Sequence, residues 1–263
     1  MKNFILLFGT VNMLILLCLA GACKKQDSAS EKKRIPTSVT DIDGNIYKVK
    51  RFENKLWMVE NLRVTHYDTE SLCKKDTIFE ATESQGVDVQ RPYFKDARYF
   101  KESPDTDNLT DDIRNSLGFL YNWCAASGIT GSSTSVTEFV QGICPNGWRL
   151  PNSTDFEELC NYLGEKETAG KKLKSVKGWL ANNGTDESDM NCYPAGLAIR
   201  NNVSFMGKQT IFWSSKNHQM NSTKAEVLKL FYEQDHAEIL GVDKTQANSV
   251  RCILDLDASY IGF

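Results

Sequence analysis

The stretch CPNGWRLPNSTDFEEL, residues 144–159, passes through a tight Pro-Asn-Gly turn and then enters a helix. Asn152 suits the N-cap of that helix, and Asp155, three residues later, can reach back to complete a capping box. Gly164 stands where a left-handed C-terminal residue belongs. Apolar side chains recur at helical spacing and predict a face that packs in the core: Phe156, Leu159, Cys160 and Leu163.

Composition sets the outer limits. The 263 residues are 41% hydrophobic and 25% charged, an ordinary globular balance with room for one large domain or two small ones. The formal net charge of -3 gives no long-range attraction to nucleic acid or anionic lipid. No basic patch interleaved with aromatic residues occurs, so we expect no nucleic-acid partner.

The N-terminus indicates export. An apolar run at residues 4–19 leads into Ala-Gly-Ala at 20–22 and then Cys23, which resembles a bacterial lipoprotein lipobox. The resemblance implies that residues 1–22 are a signal peptide and that Cys23 carries the lipid. Lys24-Lys25 follows without an aspartate, which by resemblance to lipoproteins of diderm bacteria favours the outer membrane, on its periplasmic face or at the cell surface. The alternatives are a plain signal peptide or a short transmembrane anchor.

The rest of the chain divides by composition. Residues 23–37 are rich in Lys, Glu and Ser and predict a flexible tether, whereas residues 38–263 predict a single domain. Alternating apolar residues flank Asp43-Gly44-Asn45, which predicts a hairpin. Residues 63–116 are polar and predict an irregular insertion, in which the acidic stretch at residues 105–112 is either a solvated loop or a helix N-terminus. Three strands are predicted near the C-terminus, at residues 209–215, 225–232 and 249–254.

Cysteine usage fits an exported protein. Cys18 would leave with the signal peptide and Cys23 would be the anchor. Six cysteines then remain: Cys73, Cys124, Cys144, Cys160, Cys192 and Cys252. An even number in an oxidising compartment predicts disulfides, with about fifteen complete pairings possible. None of the six lies in a CxxC pair, so we expect no zinc site.

The order of short motifs resembles the Fibrobacter succinogenes major paralogous domain, a family common in lipoproteins of Bacteroidetes and Fibrobacteres. The matching segments include WMVENL at 57–62, CPNGWRLP at 144–151, FWSS at 212–215 and SVRC at 249–252. The sequence departs from that family in its insertion at residues 63–116 and in four extra cysteines, Cys73, Cys124, Cys160 and Cys192.

The last three of these motifs also look like C-type-lectin-like and formylglycine-generating-enzyme-like domains. That likeness implies an α+β, C-type-lectin-like fold, with short helices on a small, twisted, mostly antiparallel sheet and many loops. It also implies a disulfide between Cys144 and Cys252. All five tryptophans fall within segments that match the family, so we expect them to fill the core rather than form a sugar-stacking surface.

Few residues indicate chemistry. No nucleophile elbow, metalloprotease helix or phosphate-binding loop is present, and the three histidines lie far apart on polar segments. The active-site cysteine pair of formylglycine-generating enzymes has no match, and the usual calcium and sugar triplets of lectins are missing. We therefore expect no catalytic residue and no cofactor. Asp186, Glu187 and Asp189 form the best remaining acidic loop for a ligand or a cation.

Three functional hypotheses follow. The first is a non-enzymatic, lipid-anchored surface protein that binds a glycan or a protein. The second is a structural or fimbria-associated subunit whose partner is another envelope protein. The third is a degenerate relative of the formylglycine-type enzymes, which would need a free thiol. Within the stretch 144–159, the role of Arg149 stays open.

Overall fold

A computed structural model describes residues 33–68, 78–80, 91–98, 110–129, 139–181, 184–200, 202–257 and 259–261. The predicted signal peptide at residues 1–22 and Cys23 lie outside these ranges. None of the helices within them is long and apolar enough to cross a membrane.

The described chain contains short strands and four helices. The strands are β1 (Lys33–Arg34), β2 (Ser38–Thr40), β3 (Ile46–Phe52), β4 (Lys55–Met58), β5 (Phe79–Glu80), β6 (Tyr93–Asp96), β7 (Phe119–Asn122), β8 (Leu197–Ile199), β9 (Asn202–Ser204), β10 (Gln209–Asn217), β11 (Lys224–Phe231), β12 (Ala237–Asp243), β13 (Gln246–Asn248), β14 (Ile253–Asp255) and β15 (Tyr260–Ile261). The helices are α1 (Asp111–Leu117), α2 (Trp123–Ser127), α3 (Ser153–Tyr162) and α4 (Lys166–Leu173).

The strands form four sheets with the orders β5-β6-β7-β13-β8-β9, β14-β4-β3-β2, β10-β11-β12 and β1-β15. Pairing is antiparallel except between β1 and β15 and between β5 and β6. The described part of the chain is therefore a mostly antiparallel β structure of curled sheets with a few short helices, with 16% of its residues helical and 37% in strands. This agrees with the sheet and the short helices that the sequence predicted.

The sheet of β10, β11 and β12 separates two parts of the core. Ile211 and Trp213 belong to one apolar cluster, which also contains Cys144 and Cys252. Phe212, between them on β10, belongs to the other cluster, which contains the buried face of α3. Because successive side chains of a strand point to opposite faces, this strand contributes to both clusters. Little of β10 is left exposed.

The predicted capping box is present at the start of α3. The Asp155 backbone N–H donates to Asn152 Oδ1 at 3.0 Å, and the Asn152 N–H donates to Asp155 Oδ2 at 2.7 Å. The helix buries Phe156, Leu159 and Cys160, as its spacing predicted. A disulfide joins Cys144 to Cys252 and fastens the entry of this stretch to the segment before β14, the pairing that the family resemblance implied.

Arg149, whose role the sequence left open, ties three elements together. Its guanidinium donates to Asp155 Oδ2 at 2.7 Å and, through two nitrogens, to Asp255 at 2.6 and 2.8 Å. Asp155 also lies 3.3 Å from Lys55 Nζ on β4. Bidentate pairing in a buried site is the strongest form of such contacts. Arg149 thus links α3, β14 and β4, which is an architectural role.

The insertion departs from its prediction. The described parts of residues 63–116 contain β5 and β6 rather than irregular chain, and α1 begins at Asp111, within the acidic stretch for which a helix N-terminus was one alternative. β6 pairs with β7, and the rings of Phe94 and Phe119 stack with centroids 4.6 Å apart. The stacking of Phe94 on Phe119 therefore helps to hold β6 against β7. The sequence also missed β12.

Candidate functional site

The acidic loop singled out from the sequence, residues 184–191, is a built turn against the C-terminal part of α4. The Asn191 backbone N–H donates to Asp186 Oδ1 at 2.7 Å, and the Asp189 N–H donates to the Asp186 carbonyl at 2.8 Å. Ser188 Oγ donates to the Lys172 carbonyl at 2.8 Å. Asp186, Asp189 and Asn191 all have positive φ, at 51°, 54° and 47°. Their side chains tolerate this conformation better than most.

Arg251 lies beneath this loop and is fully buried. Its Nε donates to Asn61 Oδ1 at 2.8 Å, and its other nitrogens donate to the backbone carbonyls of Met190 and Asn191. The guanidinium also lies 5.0 Å from the centre of the Phe212 ring. Burial lowers the pKa of Arg251, since nothing in this shell is a directly bonded carboxylate. The cation holds the loop by its carbonyls.

The three acidic residues of the loop do not converge. Asp186 turns inward, and burial, followed by the nearby charge of Asp189, raises its pKa. Glu187 is exposed, and Asp189 points outward to an ion pair with Lys50. In the part of the chain that the structure describes, no group of three or more His, Cys, Asp or Glu side chains could hold a metal ion. The loop therefore has a structural core and an exposed acidic rim.

Beside this loop, three apolar side chains stand in solvent. Val176, Leu180 and Phe205 are 55%, 50% and 53% exposed, and we call them the apolar patch. The Leu180 N–H donates to the Gly207 carbonyl at 2.7 Å, which joins the turn at 176–180 to the turn at 205–207. The acidic loop is tied to the first of these turns, because the Gly184 N–H donates to the Ser175 carbonyl at 3.0 Å.

Phe205 has a backbone conformation that its own side chain disfavours. Its φ is +61°, in the left-handed region where a bulky residue is strained. The turn is fixed by its neighbours, since the Lys208 N–H donates to the Phe205 carbonyl at 3.0 Å. A Cβ at Gly196 would lie 2.3 Å from the Ser204 carbonyl oxygen, so the turn is also closely packed. Phe205 therefore combines a disfavoured backbone conformation with a side chain that is 53% exposed.

The tryptophans lie elsewhere. The exposed fraction is 4% or less for all five: Trp57, Trp123, Trp148, Trp179 and Trp213. The expectation that they fill the core is confirmed. Phe205 is thus the exposed aromatic ring of this surface, and no indole ring contributes to it.

Each of the three histidines contacts a neighbour that is not a cysteine. His66 pairs with Asp43 at 2.6 Å, His236 pairs with Glu238 at 3.3 Å, and His218 packs on Gly241. Among the described residues, none of these contacts forms a Cys–His pair.

The expectation that Cys160 and Cys192 are disulfide-bonded is wrong. Both are buried free thiols in the second apolar cluster, where each acts as a small hydrophobic side chain. Burial raises the pKa of Cys160 to about 12 and that of Cys192 to about 11, so both are protonated at neutral pH. Cys124 is buried on α2, and Cys73 lies outside the described residues, so the expectation for these two stays a prediction.

The sequence pointed to the acidic loop but not to the apolar patch. Val176 and Leu180 lie on either side of Gly178 and Trp179, which match the family. Their position next to a family motif gave no sign that their side chains are exposed. Phe205 carries no sequence signal, because a positive φ at a non-glycine residue cannot be read from residue types. Leu180 after a tryptophan, in a segment rich in Lys and Asn, was the one available hint.

Comparison with known proteins gave one match. A family model described as the Fibrobacter succinogenes major domain matches residues 51–254, well over half of the chain. A search of curated proteins and a search of solved structures found no match. The matched range includes the acidic loop, the apolar patch and Arg251.

Proposed function

Starting from the fact that this chain belongs to the Fibrobacter succinogenes major domain family, we propose that it is a lipid-anchored surface protein that binds another protein through the apolar patch. The observation that carries the proposal is Phe205, an exposed aromatic side chain on a strained backbone beside Leu180. Aromatic side chains with apolar neighbours and a polar rim are typical of the central contacts of protein interfaces.

The composition of the patch favours a protein over a glycan. Sugars stack on flat aromatic faces, and the tryptophans that would serve best are all buried. Val176 and Leu180 are aliphatic and gain most from apolar surface on a partner. Glu187 and Asp189, both exposed, supply a polar rim on the acidic-loop side. We also propose that the helices and sheets are arranged as in C-type-lectin-like domains, with the binding loops at one end.

A charge substitution in the patch tests the proposal. The double variant Leu180→Asp, Phe205→Asp should lose at least about tenfold in binding to an array of envelope and extracellular-matrix proteins, because it places charges in an apolar contact. Ile46→Asp is the matched control, since Ile46 is 60% exposed on β3 and lies outside the patch. Binding by the double variant equal to that of the parent protein, or binding to a parallel glycan array alone, would contradict the proposal.

The lipid anchor has its own test. Cys23→Ala removes the thiol that would carry the lipid, so the protein should move from the membrane fraction to the aqueous fraction of fractionated cells. Cys160→Ala is the control, because that thiol is buried in the core. Retention of the Cys23→Ala variant in the membrane fraction would count against lipidation and leave the binding proposal to be judged separately.

A second candidate function, an assembly subunit of the envelope, is favoured by a different observation. β12 is the last strand of its sheet and has one strand partner among the described residues. An open edge of this kind is suited to contacts between subunits.

A further inference from the structure

β12 presents an open sheet edge. It pairs with β11 along its whole length, from Lys224↔Asp243 to Leu230↔Ala237. Among the residues that the structure describes, no strand pairs with its other side. In an antiparallel ladder about half of the N–H and C=O groups of an edge strand point away from the neighbouring strand. β12 can therefore accept another strand.

This edge lacks the usual protection against pairing. Five of the seven residues of β12, AEILGVD, are Ala, Ile, Leu, Gly or Val, and proline is absent. Its one internal charge, Glu238, lies 3.3 Å from both Lys229 and His236. Burial alone would raise the pKa of Glu238, but its bonds to His236 and Lys229 outweigh burial and lower it. Glu238 is thus already paired within the chain and does little to repel a second strand.

There is also space next to the edge. A groove of about 630 Å³ is lined by Lys166 and Glu167 at the start of α4 and by residues 236–240. α4 packs against the chain just before β12, where the Lys171 N–H donates to the Asp235 carbonyl at 2.8 Å. The start of the helix and the first half of β12 therefore line the same groove.

We propose that the partner of this edge is a second copy of the chain, and that two β12 strands pair antiparallel about a two-fold axis at Leu240. Each three-stranded sheet then becomes half of a continuous six-stranded sheet. Leu240 is the central residue of β12, so this register pairs all seven residues and makes the most hydrogen bonds. The inference is independent of the apolar patch.

The sequence of β12 is complementary to itself in this register. Glu238 of one copy lies opposite Val242 of the other, and Ile239 lies opposite Gly241, so no like charges face each other. Asp243, which is exposed, comes opposite Ala237 of the other copy, in the groove that Lys166 lines. Lys166 and Glu167 both line this groove, and Lys166 gives Asp243 a base at each end of the contact. Together with the absence of facing like charges along the seven paired residues, this favours a second copy over an unrelated apolar strand.

Cysteine crosslinking in the full-length protein in cells tests the proposal. In the register given, residue 240 faces its own symmetry mate at about 4.5–5.5 Å between Cα atoms, within the range of a disulfide. Leu240→Cys should therefore give a covalent dimer with diamide, in roughly tenfold excess over the control. Val39→Cys is that control, since Val39 is a half-buried residue that packs against the same core on β2, another edge strand. Monomer alone from Leu240→Cys, or an adduct with a different protein, would overturn the proposal.

A charge exchange tests the register. In the Leu240→Cys background, Lys166→Glu should reduce the dimer several-fold, because it places two acids together at each end of the contact. Adding Asp243→Lys should restore the yield. A yield that Lys166→Glu leaves unchanged would overturn the arrangement in which Asp243 meets Lys166.

Discussion

Arg149 and Arg251 are both buried, yet their charges are balanced in different ways. Arg149 has two carboxylates, Asp155 and Asp255, within 2.6–3.1 Å. Arg251 has an amide oxygen and two backbone carbonyls, and the nearest acid of the loop, Asp186, bonds instead to a backbone N–H. Arg149 therefore fastens regular elements to one another, whereas Arg251 fastens a loop to the core.

The difference shows how the domain divides its tasks. The ion pairs of Arg149 with Asp155 and Asp255 stabilise the scaffold. Arg251 donates hydrogen bonds to the carbonyls of Met190 and Asn191, and these bonds hold the acidic loop beside the apolar patch. A buried cation that is bonded only to neutral oxygens has no opposite charge to balance it. Each of its hydrogen bonds is therefore needed to offset the cost of burying the charge.

The largest effect is expected at Arg251. Arg251→Met keeps much of the volume but leaves the Asn61 oxygen and two carbonyls without donors, so the free energy of unfolding should fall by about 3–5 kcal/mol. Urea denaturation measures this, and Arg34→Met, at an exposed arginine on β1, is the control. Amide hydrogen exchange should also accelerate in the 186–191 loop. A loss below about 1 kcal/mol would mean that the two arginines differ less than their partners indicate.

Asp155 should show a smaller effect. Asp155→Ala leaves Arg149 with Asp255 as its remaining carboxylate and removes the capping box, so the expected loss is about 2–3 kcal/mol. Glu158→Ala on the same helix is the matched control, because its side chain is 47% exposed and a surface ion pair is worth under about 1 kcal/mol. Equal losses of stability from the two variants would show that the buried Arg149–Asp155 pair contributes no more than a surface ion pair.

The pH dependence of stability separates the two regions by sign. Burial alone would raise the pKa of Asp155, but bonds from Arg149 and Asn152 outweigh it and lower the pKa below 3.8. The stability that Asp155 contributes is therefore present above pH 3.8 and is lost as the pH falls through its folded-state pKa. Burial, then Asp189, raises the pKa of Asp186, so its ionisation at neutral pH costs stability.

Asp186→Asn tests this sign. Asparagine can still accept the Asn191 N–H, so the variant should be more stable than the parent at pH 7 by less than about 1 kcal/mol, a gain that shrinks towards pH 4. Stability curves between pH 3 and pH 7 measure it. Glu187→Gln, at an exposed acid of the same loop, should change little. A gain that stays constant with pH would exclude the ionisation of Asp186 as its cause.

The parts of the fold that could be predicted from sequence depend on short-range signals. Asn152 and Asp155 are three residues apart, and the apolar face of α3 repeats every three or four residues, so both were visible. β12 was missed because its apolar residues, Ile239 and Leu240, are adjacent and break the alternation of a half-buried strand. An edge strand between two loops has no other local mark.

The candidate site was harder to predict for physical reasons. Counting cysteines predicted disulfides at Cys160 and Cys192, but the helical face that contains Cys160 already indicated a buried hydrophobic role. Arg251, in the apolar run SVRCIL, could have been recognised as a buried cation, although its acceptors lie about 60 and 190 residues away. The conformation of Phe205 depends on contacts with Gly196 and the turn that follows.

The smallest effect on stability is expected at Phe205, an exposed residue of the apolar patch beside the loop that Arg251 holds. Phe205→Gly removes the steric cost of φ +61° but increases the conformational entropy of the unfolded chain. The free energy of unfolding should therefore rise by no more than about 1 kcal/mol. Binding to the proposed protein partner should nevertheless weaken, because the exposed ring is gone. Thermal denaturation and the protein array measure the two quantities on the same variant.

Leu180→Gly, at the neighbouring exposed position, is the control for stability, since Leu180 has no positive φ that glycine could relieve. A fall in stability at Phe205→Gly together with unchanged binding would assign the ring to folding, and the apolar patch would then belong with Arg149 to the scaffold.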